Sequence, residues 1–381
     1  MSQQLRILVS GGGTGGHIFP AVAIADALRR LRPDAEFLFV GANGRMEMER
    51  IPQAGYRIVG IDIAGLQRGF SWSSLRQNLA LPFKLWRSWR AARRIVRDFR
   101  PDVAIGTGGY ASWAALRVSQ RLGVPTLIHE ANSYAGIANR QLARRAQRVC
   151  VAYKGMERYF PAGRVVFTGN PVRADLVGAA AKRAEGLAFY GLAEGRKTLA
   201  VVGGSLGART LNEAMAQGAD RLAQRPDVQV LWQCGRYYET HYRDCATARL
   251  PNVQLRPFIE RMDLLYAAAD VVIARAGALT ISELAVVGKP AILVPSPNVA
   301  EDHQTRNAQA LAERNAALLV PDAQAAGRLL NEALALLDDP QRQAVLRENI
   351  QTFARPDAAE AIAREALRLC ENDTQHDAQT S

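Results

Sequence analysis

The sequence predicts an α/β protein made of two domains, each with a parallel sheet between layers of helices. Short apolar runs rich in β-branched residues alternate with helical patterns along the chain, which is typical of a parallel sheet buried on both faces. The chain has 381 residues, more than one hydrophobic core usually supports. The second half repeats the design of the first. The predicted strands lie at 6–10, 36–41, 56–61, 101–109 and 125–130, and then at 197–204, 227–235, 269–278 and 289–297.

A break in this alternation marks the boundary between the two domains. Gly169, Asn170 and Pro171 interrupt the pattern, and these residue types favour turns and linkers. We therefore expect an N-terminal domain at 1–168 and a C-terminal domain at 169–352. An amphipathic helix at about 353–370 follows, and the polar residues 371–381 predict a disordered tail.

The composition excludes several classes of protein. The four cysteines form neither a CxxC pair nor a Cys–His metal spacing, so we expect a reduced, cytoplasmic protein without a structural zinc or disulfide framework. Residues 1–20 lack the pattern of a signal peptide. No apolar run approaches the roughly 20 residues of a membrane-spanning helix. We therefore expect no passage through a membrane.

The charge is strongly basic and unevenly distributed. The net charge is +12, and residues 84–100 hold seven basic residues against Asp98, a local charge of +6. A basic protein binds nucleic acid, anionic lipid or phosphorylated substrates, and the total charge does not choose among them. A nucleic-acid partner is not expected, because apolar anchors interleave with this basic segment and no recognition motif accompanies it.

A glycine-rich stretch, GGGTGGH at 11–17, follows the first predicted strand and precedes a helix. It contains GxGxxG, whose glycines let the backbone approach a diphosphate at a helix N-terminus. An NAD site also needs an acid at the end of the next strand, and the GAN at 41–43 supplies none. A Walker A motif is excluded, because His17 and Ile18 stand where Lys and Ser or Thr are required. We predict an anion-binding loop.

Two further glycine loops also follow predicted strands, GTGGYAS at 106–112 and GGSLGAR at 203–209. Ligands of parallel sheets bind beyond the carboxyl ends of the strands, where such loops gather. Three loops of this kind predict a ligand that carries phosphate. We expect the loops of the two domains to face each other across an interdomain cleft.

Several blocks together closely resemble the MurG family of bacterial glycosyltransferases. These blocks are GGGTGGH at 11–17, HEANSYAG at 129–136, GNPVR at 169–173, GGSLGA at 203–208 and RAGALTISELAVVGKPAILVPSPNVAEDHQTRNA at 275–308. The resemblance implies a GT-B fold, with two Rossmann-like domains and a C-terminal helix that packs back on the first. It also implies inverting transfer of GlcNAc from UDP-GlcNAc to undecaprenyl-diphosphate-MurNAc-pentapeptide. No cofactor and no protein-bound metal are expected.

The resemblance also implies a set of donor-binding residues. Glu283 resembles the acid that accepts from the ribose hydroxyls, and a carboxylate suits two adjacent hydroxyls. Ile259 would border the uracil, and Gln304 would hold hydroxyls of the transferred sugar. Ser205 and Arg173 would lie near the donor phosphates. The other implied contacts are Ala278, Leu279, Thr280, Ile281 and Ser282 in the second domain, and Thr14, Gly15, Gly16 and Asn132 in the first.

Inverting transfer needs a base for the acceptor hydroxyl, and two candidates stay open. His17 stands at the mouth of the first glycine loop, and its ordinary pKa suits a base near neutral pH. His129 with Glu130 is the alternative pair. For the acceptor diphosphate we expect backbone donors at Gly13, Gly108, Gly109 and Tyr110.

A segment at about 72–97 combines aromatic and leucine side chains with arginines. Arg87, Arg90, Arg94 and Arg97 recur at helical spacing, so they predict one basic face. Such a segment is typical of a peripheral anchor on an anionic membrane. We expect the protein on the cytoplasmic face of the bacterial inner membrane, with cell-wall synthesis and division proteins as possible partners.

Two departures from the family pattern and several alternative functions complete the sequence analysis. Ala131 and Leu206 stand where Gln is common, which affects details of binding and leaves the glycines and Glu283 unchanged. The alternatives are another GT-B transferase with a different lipid-linked acceptor, a catalytically silent nucleotide-sugar-binding protein, and an NAD-dependent oxidoreductase. The missing acid at 41–43 opposes the last of these.

Overall fold

The structure, a computed structural model, describes residues 4–62, 81–204, 206–299 and 302–379. It divides into two compact units. Unit 1 comprises Met1–Arg173 and Asp357–Ser381, and unit 2 comprises Ala174–Pro356. The division therefore falls a few residues after each predicted boundary.

Unit 1 contains a seven-stranded parallel sheet with the order β3-β2-β1-β4-β5-β6-β7. Most strand residues are buried, as a sheet covered on both faces requires. The strands are β1 Arg6–Gly11, β2 Glu36–Ala42, β3 Ile58–Ile61, β4 Val103–Gly108, β5 Thr126–Glu130, β6 Arg148–Val151 and β7 Val165–Phe167. The helices are α1 Gly15–Leu31, α2 Glu47–Gln53, α3 Leu81–Phe99, α4 Tyr110–Arg121 and α5 Ile137–Ala143, with a 3₁₀ turn at Met156–Arg158.

The last helix of the chain belongs to unit 1 and packs against α1. Its apolar stripe joins the core around Ile18 and Ile24, because residues spaced by three or four share one face. Arg148 Nε donates to Glu365 Oε2 at 3.1 Å and ties the helix to β6. The buried residues of the stripe are Ala359, Ile362, Ala363, Ala366 and Leu369.

This terminal helix spans Ala358–Gln379 in the structure, where the sequence predicts a helix at 353–370 and a disordered tail after it. The tail prediction differs from the structure. Residues 371–379 are polar, which indicates a solvated segment and does not distinguish a disordered one from the exposed end of a helix.

Unit 2 contains a six-stranded parallel sheet with the order β10-β9-β8-β11-β12-β13. The strands are β8 Lys197–Val202, β9 Val228–Gln233, β10 Val253–Arg256, β11 Val271–Ala274, β12 Ala291–Leu293 and β13 Leu318–Leu319. The helices are α6 Arg183–Tyr190, α7 Arg209–Ala216, α8 Ala219–Ala223, α9 Glu239–Tyr242, α10 Met262–Ala268, α11 Ala278–Val287, α12 His303–Ala312, α13 Ala325–Leu337 and α14 Pro340–Gln351; the terminal helix of unit 1 is then α15. The 3₁₀ turns are Ala174–Leu176, Ala179–Lys182, Thr247–Arg249 and Asp322–Gln324.

Both sheets reverse their chain order at a single point. In unit 1 the reversal lies between β1 and β4, and in unit 2 it lies between β8 and β11. Loops diverge at such a point and leave a crevice at the carboxyl edge of the strands, where α/β proteins bind their ligands. All the glycine loops singled out in the sequence follow one of these four strands.

Candidate functional site

Two glycine loops lie side by side at the carboxyl edge of unit 1. The Gly12 N–H donates to the Gly108 carbonyl oxygen at 3.4 Å. Gly109 has a φ of +90°, and a Cβ on it would lie 2.5 Å from the Gly12 carbonyl oxygen. A side chain there would push the loops apart, so their close approach requires glycine.

The buried carboxylate of Glu47 accepts hydrogen bonds from the backbone at the first of these loops. Its side chain is 0% exposed. Oε2 accepts from the Gly13 N–H and Oε1 accepts from the Ala42 N–H, both at 3.0 Å. The backbone donor of Gly13 is therefore already used within the protein, and its contact with the acceptor diphosphate stays a prediction.

The ring of His17 lies against the second loop. Because a carbonyl oxygen only accepts, the 2.8 Å contact between His17 Nδ1 and the Thr107 carbonyl oxygen places a proton on Nδ1. The Thr107 hydroxyl returns a bond of 2.7 Å to the His17 carbonyl oxygen. Burial lowers the pKa of His17, while the charges of Glu130 and Glu47 oppose that shift. The neutral ring then carries its lone pair on Nε2, as a base requires.

The alternative base pair is not formed in the structure. His129 is fully buried in β5, and its Nε2 contacts the Gly169 carbonyl oxygen at 3.3 Å. Burial lowers the pKa of His129 to about 4. Glu130 is also buried and accepts from the Gly136 N–H at 3.0 Å and from Asn139 Nδ2 at 2.9 Å. Both groups therefore bond to other groups of unit 1, and their role as the alternative base pair stays a prediction.

The remaining predicted residues of unit 1 lie in or near α1 and α4 or after β5. Thr14 is the N-cap residue of α1 and makes no side-chain bond to the first turn, whose residues are all described. Tyr110 begins α4 and is 72% exposed. Asn132 donates its backbone N–H to Glu130 Oε1 at 3.1 Å. The Arg173 guanidinium lies 5.8 Å from the centre of the Phe19 ring.

In unit 2, Glu283 lies in α11, the helix that follows β11. Its side chain is 8% exposed, and Tyr266 Oη donates to its Oε2 at 3.0 Å. The helix opens with Ala278, Leu279 and Thr280 after Gly277 as N-cap. The structure therefore brings the predicted acid and the predicted diphosphate-facing residues onto one helix. Ile281 and Ser282 continue its first turns.

The other predicted donor residues of unit 2 lie outside α11. Gln304 lies in the first turn of α12, and its Oε1 accepts from the Ser296 N–H at 2.9 Å. Ile259 is buried after β10. Ser205 lies outside the described residues. Its neighbour Gly207 has a φ of +79°, and a Cβ there would lie 2.1 Å from the Cys234 carbonyl oxygen, so the β8 and β9 loops also touch.

Both halves of the chain match glycosyltransferase family 28. Its N-terminal domain matches residues 7–151 and its C-terminal domain matches residues 198–362. The chain is 50% identical over 369 residues to the UDP-N-acetylglucosamine--N-acetylmuramyl-(pentapeptide) pyrophosphoryl-undecaprenol N-acetylglucosamine transferase of Bacteroides fragilis, covering 96% of each chain. It is 51% identical over 369 residues to the protein of that name from Cytophaga hutchinsonii, covering 97% of this chain and 98% of that one. This chain belongs to the MurG family.

A solved structure of the MurG family supports the same conclusion. The crystal structure of Acinetobacter baumannii MurG is 30% identical in sequence, with a TM-score of 0.73, over 96% of this chain and 99% of that one. The predicted GT-B class, with two parallel-sheet Rossmann-like units, is confirmed, and so is the class of enzyme, a glycosyltransferase. The alternative of an NAD-dependent oxidoreductase is wrong.

Neither a metal-binding cluster nor a membrane-spanning helix is found in the described residues of this chain. Among the residues that the structure describes, no group of three or more His, Cys, Asp or Glu side chains is placed to hold a metal ion. Within the same ranges, no helix combines the length and the apolar character needed to cross a bilayer.

Sequence reasoning missed two groups that shape these loops. Glu47 is one. The other is Arg275, which follows β11, donates to the Val294 carbonyl oxygen at 3.1 Å and forms an ion pair with Asp322. Asp322 also accepts from Thr210 Oγ1 at 3.0 Å, so the pair links the loops at the carboxyl edge of unit 2. An arginine directly after a buried apolar strand was the available signal for Arg275.

Proposed function

We infer that this chain transfers GlcNAc from UDP-GlcNAc to undecaprenyl-diphosphate-MurNAc-pentapeptide, which gives the complete lipid-linked precursor of peptidoglycan. The observation that carries this inference is about 50% identity, over nearly the whole chain, to transferases whose names state the reaction. Each unit also presents a helix N-terminus and glycine loops at the carboxyl edge of its sheet, where phosphate groups bind.

His17 acts as the general base in this reaction, which proceeds with inversion. Its Nε2 takes the proton of the acceptor hydroxyl as that oxygen bonds to the anomeric carbon and the bond to UDP breaks. The Thr107 carbonyl fixes the tautomer by accepting from Nδ1, and it also orients the ring. Two observations support this role. The proton of the neutral ring lies on Nδ1, and burial lowers the pKa of His17, which favours the neutral ring.

Unit 2 binds the donor. The Glu283 carboxylate accepts from the ribose hydroxyls, while Tyr266 holds it in place. Ala278, Leu279 and Thr280 open α11, whose N-terminal dipole stabilises the charge that grows on UDP as it leaves. The further proposed substrate contacts are Ile259, Ile281, Ser282, Gln304 and Ser205 in unit 2 and Thr14, Gly15, Gly16, Asn132 and Arg173 in unit 1.

The acceptor diphosphate lies at the start of α4, where Gly108, Gly109 and Tyr110 bring backbone donors to the anion. Support comes from the geometry of this turn. Gly109 is the N-cap of α4, and its first turn contains no acidic residue. The orphan N–H groups and the dipole of such a helix end favour an anion. The reaction uses UDP-GlcNAc as a substrate, and we propose neither a cofactor nor a protein-bound metal.

The basic face of α3 contacts an anionic membrane surface, and we propose a peripheral location on the cytoplasmic side of the bacterial inner membrane. Arg87, Arg90, Arg94 and Arg97 are all exposed, whereas Ser88, Ala92 and Val96 are buried on the opposite face of the helix. Trp86 is 53% exposed beside Arg90. Residues 72–80 of the predicted segment lie outside the described residues. Proteins of cell-wall synthesis and division are the further partners that we propose.

The experiment that tests the acceptor is a competition between lipids. Radiolabelled UDP-GlcNAc is offered with undecaprenyl-diphosphate-MurNAc-pentapeptide, with diacylglycerol or with a polyprenyl-monophosphate sugar. We expect label only in the first. Label in another lipid would favour a GT-B transferase with a different acceptor. Binding of UDP-GlcNAc without label in any lipid would indicate a catalytically silent nucleotide-sugar-binding protein.

A further inference from the structure

The side chain of Glu47 occupies a slot that two glycines leave open. A Cβ on Gly12 would lie 2.2 Å from Glu47 Oε1, and a Cβ on Gly41 would lie 2.7 Å from Glu47 Cγ. Neither position tolerates a larger residue while Glu47 is in place. Gly12 and Gly41 therefore leave space for the carboxylate of Glu47, and not for a substrate.

This carboxylate connects two strand ends and has no cationic partner within the described ranges. It accepts from the Gly13 N–H after β1 and from the Ala42 N–H at the end of β2. Burial of a carboxylate with only two neutral donors is unfavourable compared with an apolar side chain of similar size. A contribution to the stability of the fold therefore does not by itself explain why this charged side chain is buried here.

The charge of Glu47 also acts on His17. The titratable groups that act on the His17 ring are Glu47 from α2 and Glu130 from β5, with His129 close enough to interact. Both carboxylates raise the pKa of His17, and burial lowers it more strongly. A base is most effective when its pKa lies near the working pH. Both charges therefore favour the protonated ring, Glu130 more strongly than Glu47.

We propose that Glu47 is a positioning residue for the transfer reaction, which fixes the glycine loop that leads to His17 in α1 and holds a negative charge between the ends of β1 and β2. This rests on the proposed role of His17 as the general base. The two parts of the role are separable by substitution. Glu47→Asp keeps the charge but shortens the reach, so it loses one of the two backbone bonds. Glu47→Gln keeps the reach and removes the charge.

The test measures the titration of His17 directly, by NMR of the five histidines with His17→Ala as the assignment control, beside the pH dependence of kcat. In Glu47→Gln we expect the pKa of His17 to fall and the acid limb of kcat to move to lower pH. In Glu47→Asp we expect both to stay near those of the wild type, while kcat falls about tenfold through misplacement of the loop.

Several results would overturn the proposal. One is a His17 titration in Glu47→Gln that matches the wild type; another is an unchanged kcat in Glu47→Asp. If either variant fails to fold, hydrogen exchange of the wild type decides instead. Gly13 is an exposed residue whose amide bonds to Glu47, so fast exchange of this amide would mean that the bond does not hold the loop. If the wild type shows no transfer, the proposed function is refuted. The NMR titration would still test the effect of Glu47 on His17.

Discussion

The Nδ1 atom of His17 lies 2.8 Å from the Thr107 carbonyl oxygen, and the Thr107 hydroxyl bonds back to the His17 carbonyl oxygen. The pair joins the start of α1 to the end of β4. Nδ1 of the imidazole is thus used in a structural hydrogen bond, and Nε2 is the nitrogen that serves the proposed reaction. The proposed base, in the helix that follows β1, is therefore held by β4, the neighbour of β1 in the sheet.

Replacement of Gly108 by Ala will displace His17. Gly108 has a φ of +109°, and the added Cβ would lie 2.7 Å from the ring. We expect a large loss of kcat and a lower free energy of unfolding. Gly123→Ala is the matched control, since its φ is +83° with nothing within 4 Å. The control should lose about 1–2 kcal/mol of stability from backbone strain and keep its activity. Equal activity losses in the two variants would contradict this account.

Substitutions at the Glu283–Tyr266 pair will separate donor binding from support of the carboxylate. Glu283→Gln should weaken UDP-GlcNAc binding about 10- to 100-fold, because hydrogen bonds to a charged group contribute about 1.5–3 kcal/mol. Tyr266→Phe removes the supporting bond of 3.0 Å and keeps the carboxylate, so it should reduce affinity less and lower stability by about 1–2 kcal/mol. Isothermal titration calorimetry measures both affinities. Unchanged affinity in Glu283→Gln would remove this residue from the donor site.

Acid will destabilise the protein partly through His129. Burial lowers the pKa of His129 from 6.5 to about 4. Between these values the unfolded chain binds a proton that the folded chain does not, so the free energy of unfolding decreases as the pH falls through this window. His129→Gln removes that titration. We expect urea unfolding between pH 7 and pH 4.5 to show a shallower loss in the variant. An identical pH dependence would contradict the assignment.

Removal of the basic face of α3 will weaken membrane binding. Each arginine near an anionic surface contributes about 1 kcal/mol, so replacing Arg87, Arg90, Arg94 and Arg97 by Gln should reduce affinity for phosphatidylglycerol vesicles about 100-fold or more. The matched control replaces four exposed arginines of unit 2. These are Arg243, Arg249, Arg328 and Arg342. Equal loss in both variants would show that only the total charge matters.

The fold could be predicted from local patterns because a buried parallel strand is visible in the sequence as a short apolar run. The run at 101–109, for example, contains β4, Val103–Gly108, and its glycines mark the loop that follows. The terminal helix was predicted too short. Its buried apolar stripe ends at Leu369, and the sequence that follows, ENDTQHDAQ, is almost entirely polar and shows no hydrophobic periodicity.

The candidate site was only partly predictable, since some of its contacts join residues far apart in the chain. The spacing of GGGTGGH indicates an anion-binding loop, but no local pattern shows that Glu47 takes the Gly13 N–H. His129 looked as available as His17. The difference depends on β5, which is buried on both faces, so that even a polar side chain in it is enclosed.

The most direct test of the account compares transfer with donor binding in His17→Ala. General-base catalysis contributes about 10²–10⁴-fold to a rate, so we expect transfer of GlcNAc to undecaprenyl-diphosphate-MurNAc-pentapeptide to fall by at least about 100-fold, with UDP-GlcNAc affinity unchanged. His241→Ala, at an exposed position of unit 2, should behave as the wild type. A near-normal rate in His17→Ala would contradict the central claim that His17 is the base.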